Sequence, residues 1–381
     1  MTRRVLAVTG SRAEYGLLSA ILDALASAPD VELALAVTGA HLAAHQGLTV
    51  REVEARHTVH ARVDMQLSDD SPPGIARSMG LAVAGFGEAI ARLAPDYLLV
   101  LGDRYEILAA AQAALVARIP VIHLMGGELT YGAWDESIRH ALTKLAHVHL
   151  VAHEDAARRV RQLGEDPARV HVVGSPGLEA VRRLEPPDRP ALERALGHPL
   201  AAQNLLVTYH PETLAGTTPV AQLDEMLAAL DALGPTVGVI FTSPNADAGG
   251  QALAARLDGW AADRPHVHRH ASLGHRRYLE AMAVADAVVG NSSSGLIEAP
   301  SLGCPTVNIG GRQDGRLRAA SVIDCPAERS AVEAALRQAL TRPRAPVENP
   351  YGDGRTSARV LEIVRALPPP EDLLRKRFFD V

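Results

Sequence analysis

Aromatic side chains are scarce, 3% of 381 residues, with four Phe, two Trp and seven Tyr. That argues against the stacking platforms used to bind single-stranded nucleic acid. Cysteine is scarcer still. Cys304 and Cys325 are the two in the chain, and neither sits in a CxxC pair. They read as core or half-buried thiols in a reducing compartment. No segment approaches 18 consecutive apolar residues, so no transmembrane helix is expected. The apolar run in MTRRVLAVTGSRAEYG is too short for a signal-peptide core, and charge resumes at Arg12. A cytoplasmic protein is expected. Charge of one sign is also lacking: the net charge is −6 with both signs interspersed. Neither a nucleic acid nor an anionic membrane surface is implied as partner.

What is present is the makings of two packed domains, with 47% hydrophobic residues over a length that suits two cores. Short apolar runs alternate with helical patterns. The runs at 5–8, 32–37, 97–101, 121–124, 148–151 and 171–173 predict strands. Helices are predicted at 15–27, 75–93, 107–117, 137–145 and 155–163. Strands apolar on both faces belong to parallel sheets covered by helices. Proline and charge concentrate at 182–204, which reads as a linker. The alternation then resumes, with strands at 205–208, 237–242, 267–270, 287–289 and 306–309. The fold expected is α/β, with two doubly wound Rossmann-like domains facing a cleft. The domains expected are 1–183 and 184–356, and a terminal helix pair within 357–381 packs back on the first.

Ligands of such sheets bind beyond the carboxyl ends of the strands. Four stretches stand there. The run GNSSSG, 290–295, places Ser292 and Ser293 between a strand and a helix. Helix N-termini attract phosphate, serine hydroxyls add donors, and Gly295 permits close approach. A plain serine N-cap would look similar. Glu298, one turn on, is placed to accept from a ribose diol or to stand in solvent. VTGSRAEYG, 8–16, offers Arg12, but as neither GxGxxG nor GxxxxGK[ST]. TYHPET, 208–213, offers His210, and TSPNADAGG, 242–250, offers Asn245.

Acidic residues gather at LGDRYE, 101–106, and HLMGGELTYGAWDESIRH, 123–140. Asp103, Glu128 and Asp135 are the candidates there. Neighbouring carboxylates push one another's pKa values apart, which yields an acid and a base near neutrality. The competing reading pairs Asp103 with Arg104 and makes Asp135 and Glu136 helix-start residues. His266, His268 and His270 alternate along one expected strand, and His147, His149 and His153 form another cluster. Without supporting cysteine or acidic spacing, no metal site is expected.

The motifs VTGSRAEYG, LGDRYEI, GGELTYGAWDESIRHALTKLAH, HPET, PNADAGG, GNSSSGLIEAPSLG and NIGGRQDGR, in this order from about residue 5 to 325, resemble the hydrolysing UDP-N-acetylglucosamine 2-epimerases. The resemblance implies a glycosyltransferase-B type fold, no cofactor, a UDP-sugar substrate and a homodimer or homotetramer. By resemblance, Arg12, His210, Ser292 and Ser293 attend the diphosphate. Glu298 takes the ribose, and Asn245 and Arg312 complete the UDP site. Asp103, Glu128, Asp135 and His210 form the catalytic set. Some relatives carry a glutamate where this chain has Met125. The stretch 65–86 is similar to relatives acting on UDP-N,N′-diacetylbacillosamine, a 2,4-diacetamido-trideoxy sugar. The expected substrate is UDP-N-acetylglucosamine, with that sugar as the alternative. A non-hydrolysing epimerase or a glycosyltransferase of the same fold stands behind both.

Overall fold

A computed structural model describes residues 2–44, 47–69, 71–131, 134–211, 217–243, 250–345 and 347–380. The chain divides into two compact units. One comprises residues 1–129, 133–179 and 354–381, the other 130–132 and 180–353.

The first unit is built on a seven-stranded sheet: β1 (Arg3–Thr9), β2 (Val31–Thr38), β3 (Ala61–Val63), β4 (Tyr97–Leu101), β5 (Val121–Leu124), β6 (Val148–Val151) and β7 (Val170–Val172). All pairings are parallel, in the order β3-β2-β1-β4-β5-β6-β7. Its helices are α1 (Arg12–Ala26), α2 (Val50–Glu54), α3 (Pro72–Leu93), α4 (Tyr105–Ala117), α5 (Asp135–Leu145), α6 (Glu154–Gln162) and α7 (Gly177–Arg182). Alternate residues of β1 serve opposite cores. Val5 and Ala7 pack with Leu18 and Leu22 of α1, whereas Leu6 and Val8 pack with Phe86 and Ile107 of α3 and α4. That two-sided burial is why the strand reads as a continuous apolar run.

The second unit repeats the plan with α8 (Arg189–Leu196), β8 (Gln203–Thr208), α9 (Pro219–Asp231), β9 (Val237–Thr242), α10 (Gly250–Ala261), β10 (Val267–His270), α11 (Gly274–Val284), β11 (Ala287–Gly290), α12 (Ser294–Ile297), β12 (Thr306–Ile309), β13 (Val322–Cys325) and α13 (Arg329–Thr341). The strand order is β10-β9-β8-β11-β12-β13, again parallel. In each sheet the winding reverses once, between β1 and β4 and between β8 and β11. Those reversals are the topological switch points where doubly wound sheets take ligands.

The chain returns to the first unit through α14 (Thr356–Ala366) and the single turn α15 (Pro370–Leu373). Val360, Val364, Leu367 and Leu373 enter the same core as Leu18 and Leu25. Lys376 then caps the end of α5, donating to the carbonyls of Lys144 and Ala146, both at 2.7 Å, and pairing with Glu165 at 2.7 Å. A cation at a helix C-terminus opposes the dipole favourably. The opposite end of α5 carries Asp135.

Three differences from the sequence reading have physical causes. β3 and β13 were not expected, because Arg62 and Asp324 interrupt what would otherwise be apolar runs. The proline-rich stretch at 182–204 holds α8, because Pro190 occupies the first turn, where no amide donor is needed. The helix expected from 75 begins at Pro72 for the same reason, with Ser71 accepting from the Gly74 amide at 3.2 Å. Cys304 is buried and Cys325 half-buried, both free. Among the described residues no helix is long and apolar enough to cross a membrane.

Candidate active site

At the switch point of the first sheet, β1 ends at Thr9 and turns through Gly10 into α1. Ser11 caps the helix, accepting from the Glu14 amide at 3.3 Å, while Glu14 reaches back to the Gly10 amide at 3.2 Å. Glu14 is buried. Burial first, then the charge of Glu106, pushes its carboxyl well above the usual range. Glu106, at the start of α4, is buried too and accepts from Arg104 Nε at 2.6 Å. A Cβ on Gly10 would stand 2.6 Å from Glu106 Cγ, so the turn crosses this side chain at a separation that glycine permits. Among the described residues Glu14 Oε1 and Glu106 Oε2 have no hydrogen-bond partner. Arg12 opens α1 half-exposed, its Nε 3.5 Å from Glu52 Oε2.

Asp103 leaves the end of β4, and its partner is Arg139 rather than the adjacent Arg104. Arg139 Nε donates to Asp103 Oδ2 at 2.9 Å, and Nη2 donates to the same oxygen. Arg139 is buried on α5, and its Nη1 also donates to the Glu128 carbonyl at 2.8 Å and to Glu136 at 2.6 Å. One guanidinium thus gathers the end of β4, the loop after β5 and the first turn of α5. Asp135 lies in that first turn. Its carboxyl is pushed up, by burial first and then by Asp103. Of the three expected acids, Asp103 acts on Asp135, and Glu128 meets them through its backbone carbonyl on Arg139.

The loop after β5 explains Met125. Its φ is +66°, in the left-handed region, and its side chain packs against the apolar cluster of Leu124 and Leu150. The position faces a core, and the next acid along the loop is Glu128. Glu128 is buried, with Oε1 3.0 Å from His153 Nε2 though off the line of a linear hydrogen bond. His153 Nδ1 accepts from the Ala156 amide at 3.2 Å, which leaves the ring proton on Nε2, toward Glu128. His147 and His149 are likewise internal, bonded to the Val121 amide and to Glu165. His268 stacks on His198 at 3.5 Å between centroids. Among the described residues no set of three His, Cys, Asp or Glu is placed to hold a metal.

At the switch point of the second sheet, Gly290 ends β11 with φ +125°, and a Cβ there would lie 2.0 Å from the Thr208 carbonyl of β8. Asn291 follows, wholly buried. Its Oδ1 accepts from the His210 amide at 2.7 Å and its Nδ2 donates to the His210 carbonyl at 2.9 Å. Its own carbonyl accepts from Arg312 Nη1 at 3.1 Å and Gln313 Nε2 at 2.7 Å. His210, Arg312 and the serine loop are therefore joined through one residue. His210 is buried, and burial together with the Arg312 charge pushes its ring down to about 4.

The serines sit in a relay of hydroxyls. Thr242 bonds Thr208 at 2.6 Å, Thr208 bonds Tyr278 at 3.2 Å, Tyr278 bonds Ser294 at 2.8 Å, and Ser294 bonds Ser292 at 3.1 Å. Ser293 is the residue before α12, a helix of only four residues. Glu298 ends that helix half-buried, so the solvated reading fails. Burial pushes its carboxyl up to about 7, and Oε2 has no hydrogen-bond partner among the described residues. Asn245 lies outside the described residues, as do 212–216 and 244–249.

The sequence reading passed over Glu14, Glu106, Arg139 and Asn291 as separate contributors. Arg139 had a readable signal, one helical turn beyond Asp135. Glu106 had none, because the turn it meets, with Gly10 and Glu14, is distant in sequence, although Arg104, which donates to it, is two residues away.

Two parallel, doubly wound units with polar loops at their switch points define a glycosyltransferase-B type architecture. The UDP-N-acetylglucosamine 2-epimerase of Neisseria meningitidis, solved bound to UDP-GlcNAc, shares it: TM-score 0.81, 20% identity, 96% of this chain and 100% of that one. The family described as UDP-N-acetylglucosamine 2-epimerase matches residues 23–365. A UDP-N,N′-diacetylbacillosamine 2-epimerase (hydrolyzing) from Legionella pneumophila is 35% identical over 99% of both chains. A GDP/UDP-N,N′-diacetylbacillosamine 2-epimerase (hydrolyzing) from Campylobacter jejuni is 38% identical over 84% of both. The chain belongs to the UDP-N-acetylglucosamine 2-epimerase family, and it is an enzyme of the UDP-sugar 2-epimerase type.

Proposed function

We propose that this protein is a hydrolysing 2-epimerase of UDP-N,N′-diacetylbacillosamine, releasing the free 2-epimer and UDP. The observation that carries the choice is the 35% and 38% identity, across most of the chain, to relatives named for that sugar and for hydrolysis. It reverses the order of the two substrates expected from the motifs, where UDP-N-acetylglucosamine stood first.

The chemistry follows from the groups present. A base removes the C2 proton and UDP leaves C1 by anti elimination, giving a glycal. Water adds at C1 while C2 is reprotonated from the opposite face, so the free sugar and UDP account for all atoms. Asp103, Glu128 and Asp135 are the proton-transfer groups. The raised Asp135 is suited to hold a proton, and Asp103 is held in position by a buried arginine. Charge developing on the diphosphate is met by Arg12, Arg312, the neutral His210 and the Ser292–Ser293 loop. Glu298 accepts from the ribose diol, and Asn245 belongs to the UDP set by resemblance.

The test is incubation with UDP-N,N′-diacetylbacillosamine and UDP-N-acetylglucosamine separately, with the released sugar identified by NMR. The first should be turned over with the higher kcat/KM. In heavy-oxygen water the label should appear at C1 of the free sugar. Label in UDP would overturn the elimination route, and a product still joined to UDP would make the enzyme non-hydrolysing.

A further inference from the structure

In a chain so poor in aromatic residues, one of the two tryptophans is left 54% exposed beside the acids. Trp134 immediately precedes Asp135. Its ring lies 5.7 Å from that of Tyr105, tilted by 35°. Tyr105 in turn follows Arg104, whose guanidinium stands 5.7 Å from the tyrosine ring centre. Asp103 and Arg104 are the charges that act most strongly on Asp135. Two aromatic rings in contact thus flank two of the proton-transfer carboxylates, one ring at the start of α4 and one before α5. Trp134 is exposed and, among the described residues, packs into no core, while Tyr105 is half-buried at the edge of the core that holds Phe86 and Ile107. An exposed tryptophan at a polar site is a surface that an apolar ligand group can cover.

We propose that Trp134 and Tyr105 form an apolar wall that selects a 2,4-diacetamido-2,4,6-trideoxy sugar over N-acetylglucosamine. The inference rests on the substrate reading above. The two sugars share the C1 and C2 chemistry and differ at C4 and C6. There the trideoxy sugar presents an acetamido methyl and a C6 methyl where N-acetylglucosamine presents two hydroxyls. Methyl groups gain from burial against a ring face, and hydroxyls lose water there without a partner. A wall beside the C2 acids would therefore favour the trideoxy sugar without taking part in proton transfer.

The experiment compares kcat/KM for both UDP-sugars in the wild type and in Trp134→Ala, Tyr105→Ala and Trp134→Phe, with the melting temperature of each variant. The expected result is a fall of about tenfold for the trideoxy sugar in Trp134→Ala, from the loss of roughly two methyl contacts. UDP-N-acetylglucosamine should change less than about threefold, and Trp134→Phe should keep most of the preference. Equal falls for both sugars, or no change for either, would overturn the wall even in an enzyme that prefers the trideoxy sugar. A wild type that prefers UDP-N-acetylglucosamine would overturn the substrate reading first and the wall with it. The two failures are read on different proteins.

Discussion

Asn291 holds both backbone polar groups of His210, accepting from its amide at 2.7 Å and donating to its carbonyl at 2.9 Å. The contact crosses from the end of β11 to the end of β8, 81 residues apart in sequence. It fixes the histidine backbone against the loop that carries Ser292 and Ser293.

Asn291→Ala should therefore separate the two. It leaves a buried amide and carbonyl of His210 unbonded, at a cost of roughly 1–3 kcal/mol for each. A lower melting temperature and weaker UDP binding by calorimetry should appear together. Asn291→Asp, which keeps the acceptor, should lose less. An unchanged melting temperature in the alanine variant would show that the pairing contributes little.

Glu298 supplies a pH dependence. Its folded carboxyl titrates at about 7, above the ordinary value, because burial disfavours the charge. A diol needs the ionised form as acceptor, so UDP should bind more tightly as pH rises from 6 to 8. For stability the sign is opposite. The folded state holds the proton longer than the unfolded chain, so this contribution is complete at low pH and is lost between about 4.3 and 7. Glu298→Gln should flatten both dependences, read by calorimetry and by thermal melts across that range. A UDP affinity in the wild type that is level from pH 6 to 8 would remove the carboxylate from the ribose.

Asp103→Asn should lower kcat by about 10²–10⁴-fold, the usual range for a lost acid or base, with UDP affinity retained. Arg139 keeps Glu136 and the Glu128 carbonyl as partners, which limits the structural damage. Single-turnover rates and melting temperature on one preparation decide. Near-normal turnover with a lower melting point would assign Asp103 to holding Arg139.

Glu14→Gln tests the buried acid under the first turn. The carboxyl is raised by burial and by Glu106, so its contribution to stability is present below its ordinary value near 4.3 and disappears as pH rises through the raised one. Glutamine keeps an acceptor for the Gly10 amide and cannot ionise. The variant should match the wild type near pH 5, within about 1 kcal/mol, the scale of one hydrogen bond. It should lose less stability than the wild type at alkaline pH, measured by urea unfolding. Equal alkaline slopes would show that Glu14 is already ionised.

The sequence by itself determined the elements whose signal is local. β1, β4 and β11 break at Gly10, Gly102 and Gly290, and β8 breaks before Pro211, so their ends, and hence Arg12, Asp103, Ser292 and His210, were legible as strand-end residues. The tertiary structure alone decided partners and burial. Asp103 pairs with Arg139 of α5, while its neighbour Arg104 turns to Glu106. Glu298 is half-buried because α12 stops after one turn, which no periodicity of four residues can announce. Met125 turns into the core through a left-handed φ, which sequence spacing does not encode. Strand ends follow from the side chains of one segment. Which carboxylate keeps a proton depends on the charges and the exclusion of water that several segments create only once they are packed together.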